Sequence, residues 1–133
     1  SRAQISEHAF GNALDIAAFT LADGRIVTVK NGWKGMPEEQ GFLRDVQASA
    51  CQQFNTVLAP GSNIYHYDHI HVDLMRRKSQ RTICQPAAAS GDAVSGGAYR
   101  SRGALAVRQR GAVQLLGVKG LARAMAERAT FRR

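Results

Sequence analysis

The chain is short of histidine, of cysteine and, in its second half, of acid. It has four histidines and two cysteines in 133 residues. Beyond residue 75 its only carboxylate side chains are Asp92 and Glu127. Two cysteines, Cys51 and Cys84, leave room for one bridge at most, and an even count does not by itself show one. The alternative is two buried thiols. No apolar run is long enough to span a bilayer as a helix. No internal repeat is present, which excludes a solenoid. The opening Ser1-Arg2-Ala3 does not read as a signal peptide. The length suits one domain.

Charge is divided along the chain. The formal net charge is +8. Residues 1–75 hold five basic and eight acidic side chains, whereas residues 76–133 hold thirteen basic and two acidic. The first part is therefore mildly acidic and the second strongly basic. Nucleic-acid binding is not expected of a domain whose own balance is negative.

The few histidines are concentrated. Three of the four lie in His66-Tyr67-Asp68-His69-Ile70-His71-Val72-Asp73. The fourth, His8, lies in Ser6-Glu7-His8-Ala9-Phe10-Gly11-Asn12-Ala13-Leu14-Asp15. Imidazole and carboxylate are the usual ligands of zinc and related metals. Confinement of every histidine to two short acidic segments implies that the segments meet at one ion. Ile70-His71-Val72-Asp73-Leu74 alternates apolar and polar, so His69, His71 and Asp73 would share one face of a strand. Ala13 to Leu21 reads as a second strand, with Asp15 as a costly carboxylate among apolar neighbours. Gly11 would let His8 fold back beside Asp15. A catalytic zinc site needs three protein ligands and an open position. His8, Asp15 and one histidine of the second cluster would supply the three, leaving further groups for proton transfer.

The remaining elements frame that pair. Ala22-Asp23-Gly24-Arg25 is a turn signal, and Ile26 to Val29 is the returning strand. Asn31 to Gly35 is a polar, glycine-rich loop, in which Trp33 either lines a groove or folds over the core. Pro37 followed by Glu38 and Glu39 starts a helix. Phe42, Leu43, Val46, Ala50 and Phe54 give it one apolar face to the end at Phe54. Thr56-Val57-Leu58 is a short strand. The expected fold is α+β: a small antiparallel sheet carrying the metal, packed by one main helix. The expected division is a core over 1–84 and a basic tail over 85–133. Gln85 to Gly97 reads as a flexible linker. Ala104 to Ala129 has the pattern of a basic amphipathic helix suited to an anionic surface. Gly103, Gly111, Gly117 and Gly120 oppose a stable helix there, so disorder or a poorly ordered helix is expected.

The motif Ser6-x-His8-x-x-Gly11-x-Ala13-x-Asp15 followed by His69-x-His71 resembles the zinc signature of the LAS metallopeptidases. These are D-alanyl-D-alanine carboxypeptidases, D-Ala-D-Ala dipeptidases and murein endopeptidases. The surrounding sequence, from about Ala3 to Cys84, is similar to the bacterial extensin-like C-terminal domain. The resemblance implies zinc ligation by His8, Asp15 and His71. It places Asp68 at the position of a catalytic carboxylate, and His66 and His69 at those of assisting histidines. Ser6 matches a residue that orients the site. It implies a peptidoglycan peptide as substrate and the periplasm or cell envelope as location. That location favours a Cys51–Cys84 disulfide. It also suggests a fragment or short member of the group, since such domains carry structure before the first motif.

Three functions are open at this stage. One is a zinc peptidase acting on peptidoglycan stem peptides. Another is a non-catalytic envelope-binding module stabilised by zinc. The third is a surface-binding protein whose basic tail is the active part. The surplus groups His66, Asp68 and His69 separate the first from the second, because a structural site has no use for a base. Among them His69 is expected to be the principal proton-transfer or oxyanion-stabilising group, with His66 assisting. Asp68 would orient a histidine through its ring N–H.

Overall fold

A computed structural model describes residues 5–21 and 24–95. The expectations for the turn residues Ala22 and Asp23, and for the tail beyond Ser95, lie outside these residues. Six short strands, three helices and one 3-10 turn follow in the order 3-10 (Glu7–Phe10), β1 (Ala13–Ile16), β2 (Ala18–Thr20), β3 (Ile26–Thr28), α1 (Val29–Gly32), α2 (Pro37–Gln53), β4 (Thr56–Leu58), β5 (Ile70–Asp73), β6 (Ile83–Gln85) and α3 (Gly91–Ser95). The fold is α+β with one main helix, as expected. Its main sheet has four strands in the order β1-β5-β4-β6. β1 and β4 both run antiparallel to β5, but β6 runs parallel to β4. The sheet is thus mixed, and the expectation of a purely antiparallel sheet is corrected. A hairpin of β2 and β3 stands apart as a second sheet.

The single strand read over Ala13 to Leu21 is two strands in two sheets. At Ala17 the chain leaves the main sheet, and the Ala17 carbonyl accepts a hydrogen bond from the Val29 N–H at 2.8 Å. Ile16 therefore pairs with Ile70 in one sheet while Ala18 pairs with Thr28 in the other. The loop expected at Asn31 also differs, because α1 already occupies Val29–Gly32. The Thr28 hydroxyl caps it by accepting from the Asn31 N–H.

α2 starts at Pro37 with Glu38 and Glu39 in its first turn, and it ends at Phe54, the C-cap. Proline fixes the opening dihedral and the acids complement the helix dipole. Phe42, Leu43, Val46 and Ala50 bury one face of α2 against Val57, Ile70 and Val72 of the sheet. Phe19 of the hairpin meets Phe42 edge-on, with ring centroids 5.4 Å apart. Trp33 is buried in the same core, with the Arg44 guanidinium 3.9 Å above its ring.

The fold continues past Cys84, where a flexible linker was expected. β6 places Thr56, Val57 and Leu58 beside Ile83, Cys84 and Gln85. The Gln47 amide donates to the Pro86 carbonyl at 2.6 Å. Gly91, at the start of α3, is buried and its N–H donates to Asp45 at 2.7 Å. A Cβ there would collide with the Gly41 carbonyl, so α3 lies directly on α2. Cys51 and Cys84 form a disulfide with Cα atoms 5.6 Å apart, joining α2 to β6. Closing a loop across 33 residues stabilises the fold by roughly 3–4 kcal/mol on a chain-entropy estimate.

Candidate metal centre

The site forms where the start of the chain meets β5. Ser6 caps the 3-10 turn by accepting from the His8 N–H at 3.3 Å. Gly11 closes the turn in the left-handed region at φ 65°, a conformation that suits glycine. The Asn12 amide also donates to the Glu7 carboxylate at 2.7 Å. The chain so reversed brings His8 Nε2 to 3.4 Å from Asp15 Oδ1.

Asp15 of β1 stands directly opposite His71 of β5 in the antiparallel register. His71 Nδ1 lies 2.9 Å from Asp15 Oδ1. One ligand atom each from His8, Asp15 and His71 fall within 4.8 Å of one another. Two imidazole nitrogens and a carboxylate oxygen at that spacing match a three-ligand zinc set. The His8 and Asp15 side chains are 44% and 46% exposed, so the cluster opens to solvent. Asp15 is therefore not the buried carboxylate its apolar neighbours suggested. Short strands at the sheet edge leave it at the surface, where three histidines gather round it.

The other two histidines complete the group. His69 precedes β5, and its Nε2 lies 3.7 Å from Asp15 Oδ1. Its Nδ1 lies 2.8 Å from Asp68 Oδ1. The His69 hydrogen bond holds the Asp68 carboxyl below the usual carboxylate range. The His66 ring lies beside that of His69, tilted with centroids 4.9 Å apart, and its Nδ1 contacts the Asn63 side-chain oxygen at 2.7 Å. Partial burial and then the neighbouring His69 and His71 lower its pKa. All six residues read from the sequence, His8, Asp15, His66, Asp68, His69 and His71, thus come together.

Sequence reasoning missed the support behind His71. Its Nε2 lies 2.9 Å from Asp73 Oδ2, and the Asp73 side chain is 7% exposed. Burial of Asp73 opposes its ionisation. Hydrogen bonds from His71, Thr56 and the Met75 N–H outweigh this and lower its pKa. The hydrogen bond to Asp73 in turn raises that of His71. Thr56 is the register partner of Asp73 on β4, and its hydroxyl accepts from Arg77 at 2.8 Å. An array with Thr56 and Asp73 buried at its middle therefore runs Arg77, Thr56, Asp73, His71. The i+2 spacing of His71 and Asp73 was a visible signal for their pairing. Thr56 and Arg77 carry no such signal.

These features define a small α+β domain with a solvent-open His/Asp cluster of metal-ligating chemistry at one edge of a mixed sheet. The chain belongs to the family described as Extensin-like protein C-terminus, which matches residues 1–85. No curated protein and no solved structure matches it.

Proposed function

We propose that this protein is a zinc-dependent peptidase that hydrolyses peptide bonds of peptidoglycan stem peptides or cross-links. The observation that carries the reading is the convergence of His8, Asp15 and His71, with His69 beside the same carboxylate yet surplus to the ligand set. A structural zinc site is closed by four protein ligands. This cluster offers three in an open setting, with a candidate base next to it. The resemblance of its motifs to the LAS metallopeptidases supports the same assignment. The Cys51–Cys84 disulfide suits the oxidising periplasm or cell envelope.

His8, Asp15 and His71 would hold the metal. Zinc, when bound, supplies Lewis acidity toward the scissile carbonyl and the attacking water. Asp73 accepts from His71 Nε2–H, which leaves His71 Nδ1 as the ligating atom. Asp68 accepts from His69 Nδ1–H, which leaves the His69 Nε2 lone pair free toward the cluster. His69 is the proton-transfer group on this account, with His66 beside it as an assistant. Asp68 orients His69. Its lowered pKa makes it a poor base near neutral pH.

The test is metal analysis of the purified full chain, followed by digestion of peptidoglycan with mass analysis of the products. One zinc per chain and newly released peptide termini are expected. Zinc without cleavage would favour an envelope-binding module in which the metal only stabilises the fold.

A further inference from the structure

A concave site reaches the histidine segment at Tyr67. It is a cleft of about 460 Å³, a size that admits one or two peptide residues. Lys30, Trp33, Lys34, Arg44 and Tyr67 line it, with Pro60 and Pro86 among the remaining walls. Three cations face it and no carboxylate does. In a domain whose residues 1–75 carry more acid than base, this local balance is inverted. Arg44 is the anchor. It rises from α2 and places its guanidinium carbon 3.9 Å from the Trp33 ring centroid, a contact that holds it there. Its Nε is buried and makes no hydrogen bond. A buried guanidinium nitrogen without an acceptor is costly, and an incoming anion would relieve that cost. Burial lowers the Arg44 pKa, consistent with a cation that lacks an anionic neighbour. Lys30 and Lys34, one turn apart around α1, are exposed at the rim. Tyr67 connects the cleft to the candidate metal centre, because it sits between His66 and Asp68.

We infer that this cleft is a subsite for a carboxylate-bearing residue of an acidic peptide, held by Arg44 at the base and by Lys30 and Lys34 at the rim. The inference rests on the peptidase reading for its choice of a peptide carboxylate. It deepens that reading by adding a preference for acidic over neutral segments away from the scissile bond. Arginine presents a planar fork to a carboxylate, while the lysines add charge without fixed geometry.

Trp33 is the sole tryptophan, so tryptophan fluorescence reports this cleft. The experiment titrates the metal-stripped full chain with N-acetyl-D-glutamate, with its neutral diamide N-acetyl-D-glutamine amide, and with inorganic phosphate. The expected result is a saturable Trp33 response to the dicarboxylate that weakens with added salt, and none to the diamide. Lys30→Gln with Lys34→Gln should weaken binding several-fold. Arg44→Gln should weaken it by roughly tenfold or more, the scale of a lost charged hydrogen bond. The lysine pair lies on the surface, so it remains informative even if Arg44→Gln fails to fold. An equal response to the diamide, tighter binding of phosphate than of the dicarboxylate, or wild-type affinity in the lysine double variant overturns the subsite. Because metal is absent, the outcome is independent of hydrolysis. A protein that cleaves peptidoglycan but ignores the dicarboxylate loses only this inference. One that binds the dicarboxylate but neither takes zinc nor cleaves loses only the peptidase reading.

Discussion

His71 is held from both sides, by Asp15 at Nδ1 and by Asp73 at Nε2, and the two contacts do different work. Asp15 shares the solvent-facing cluster; Asp73 sits behind it and fixes the ring. In metal-free protein the pair gives a signed pH dependence. The lowered pKa of Asp73 contributes stability present above the unfolded carboxylate value, which is lost as pH falls through the folded value. The raised pKa of His71 contributes stability present below the unfolded histidine value, which is lost as pH rises through the folded value. The contribution is therefore largest between about pH 4 and pH 6.5. Asp73→Asn should flatten both slopes in melting curves and lower the His71 titration followed by NMR. It should also weaken zinc binding by roughly 10- to 100-fold, read by chelator competition. Unchanged affinity would show that His71 needs no such support. A separate contrast tests the base. His69→Ala should keep its zinc yet lose roughly 10²-fold or more in turnover, and Asp68→Asn should lose less. The reverse ranking would make Asp68 the base.

At the scale of elements, what was legible in the sequence followed from periodicity and from helix-start chemistry. α2 was readable because Pro37, Glu38 and Glu39 mark its start and five apolar residues keep helical spacing to Phe54. β5 was readable from strict alternation, and Ile70 and Val72 are indeed the core side. The break at Ala17 was not readable, because apolar residues continue through it and only the partner strands change. β6 was missed because three residues, Ile83–Gln85, are too few for a pattern to show. α3 was missed because Gly91 looks like a linker residue. In the fold it is there because nothing larger fits against the Gly41 carbonyl. Gly91→Ala should thus destabilise by roughly 1–3 kcal/mol, the usual cost of overpacking, seen as a lower denaturation midpoint. A neutral result would mean that α3 can move off α2 freely. The six candidate site residues were legible for another reason: histidine is rare in this chain, so its clustering carried information. Arg44 was not singled out, since one arginine on a helix face has no distinguishing spacing.

For the whole molecule, the question is where the working unit ends. Packing extends beyond Cys84: Gln85 pairs in β6, Pro86 accepts from Gln47, and the Gly91 N–H donates to Asp45. A chain cut after Ser95 should keep its zinc stoichiometry and melting temperature. One cut after Cys84 should melt lower, through loss of the Gln47–Pro86 hydrogen bond and of α3. Equal melting of the two truncated forms would place the end of the working unit at Cys84. The cut after Ser95 leaves every residue of the Trp33 cleft in place, so it should not alter the response of Trp33 to an acidic ligand, whereas the cut after Cys84 removes Pro86 from the cleft wall.

The strand order β1-β5-β4-β6 puts β1 at the rim of the sheet, where a single neighbour holds it. β1 carries Asp15, and the turn just before it carries His8, while the third donor sits one strand inward on β5. An ion shared by these three would act as a clasp, pinning the leading segment of the chain to the body of the domain. Removing it should release that segment and little else. Amide hydrogen exchange in chelator-treated protein should accelerate over residues 7–16 and stay slow over β4 and over the core face of α2. Uniform acceleration across the domain would mean that the clasp holds the whole fold and not one edge of it.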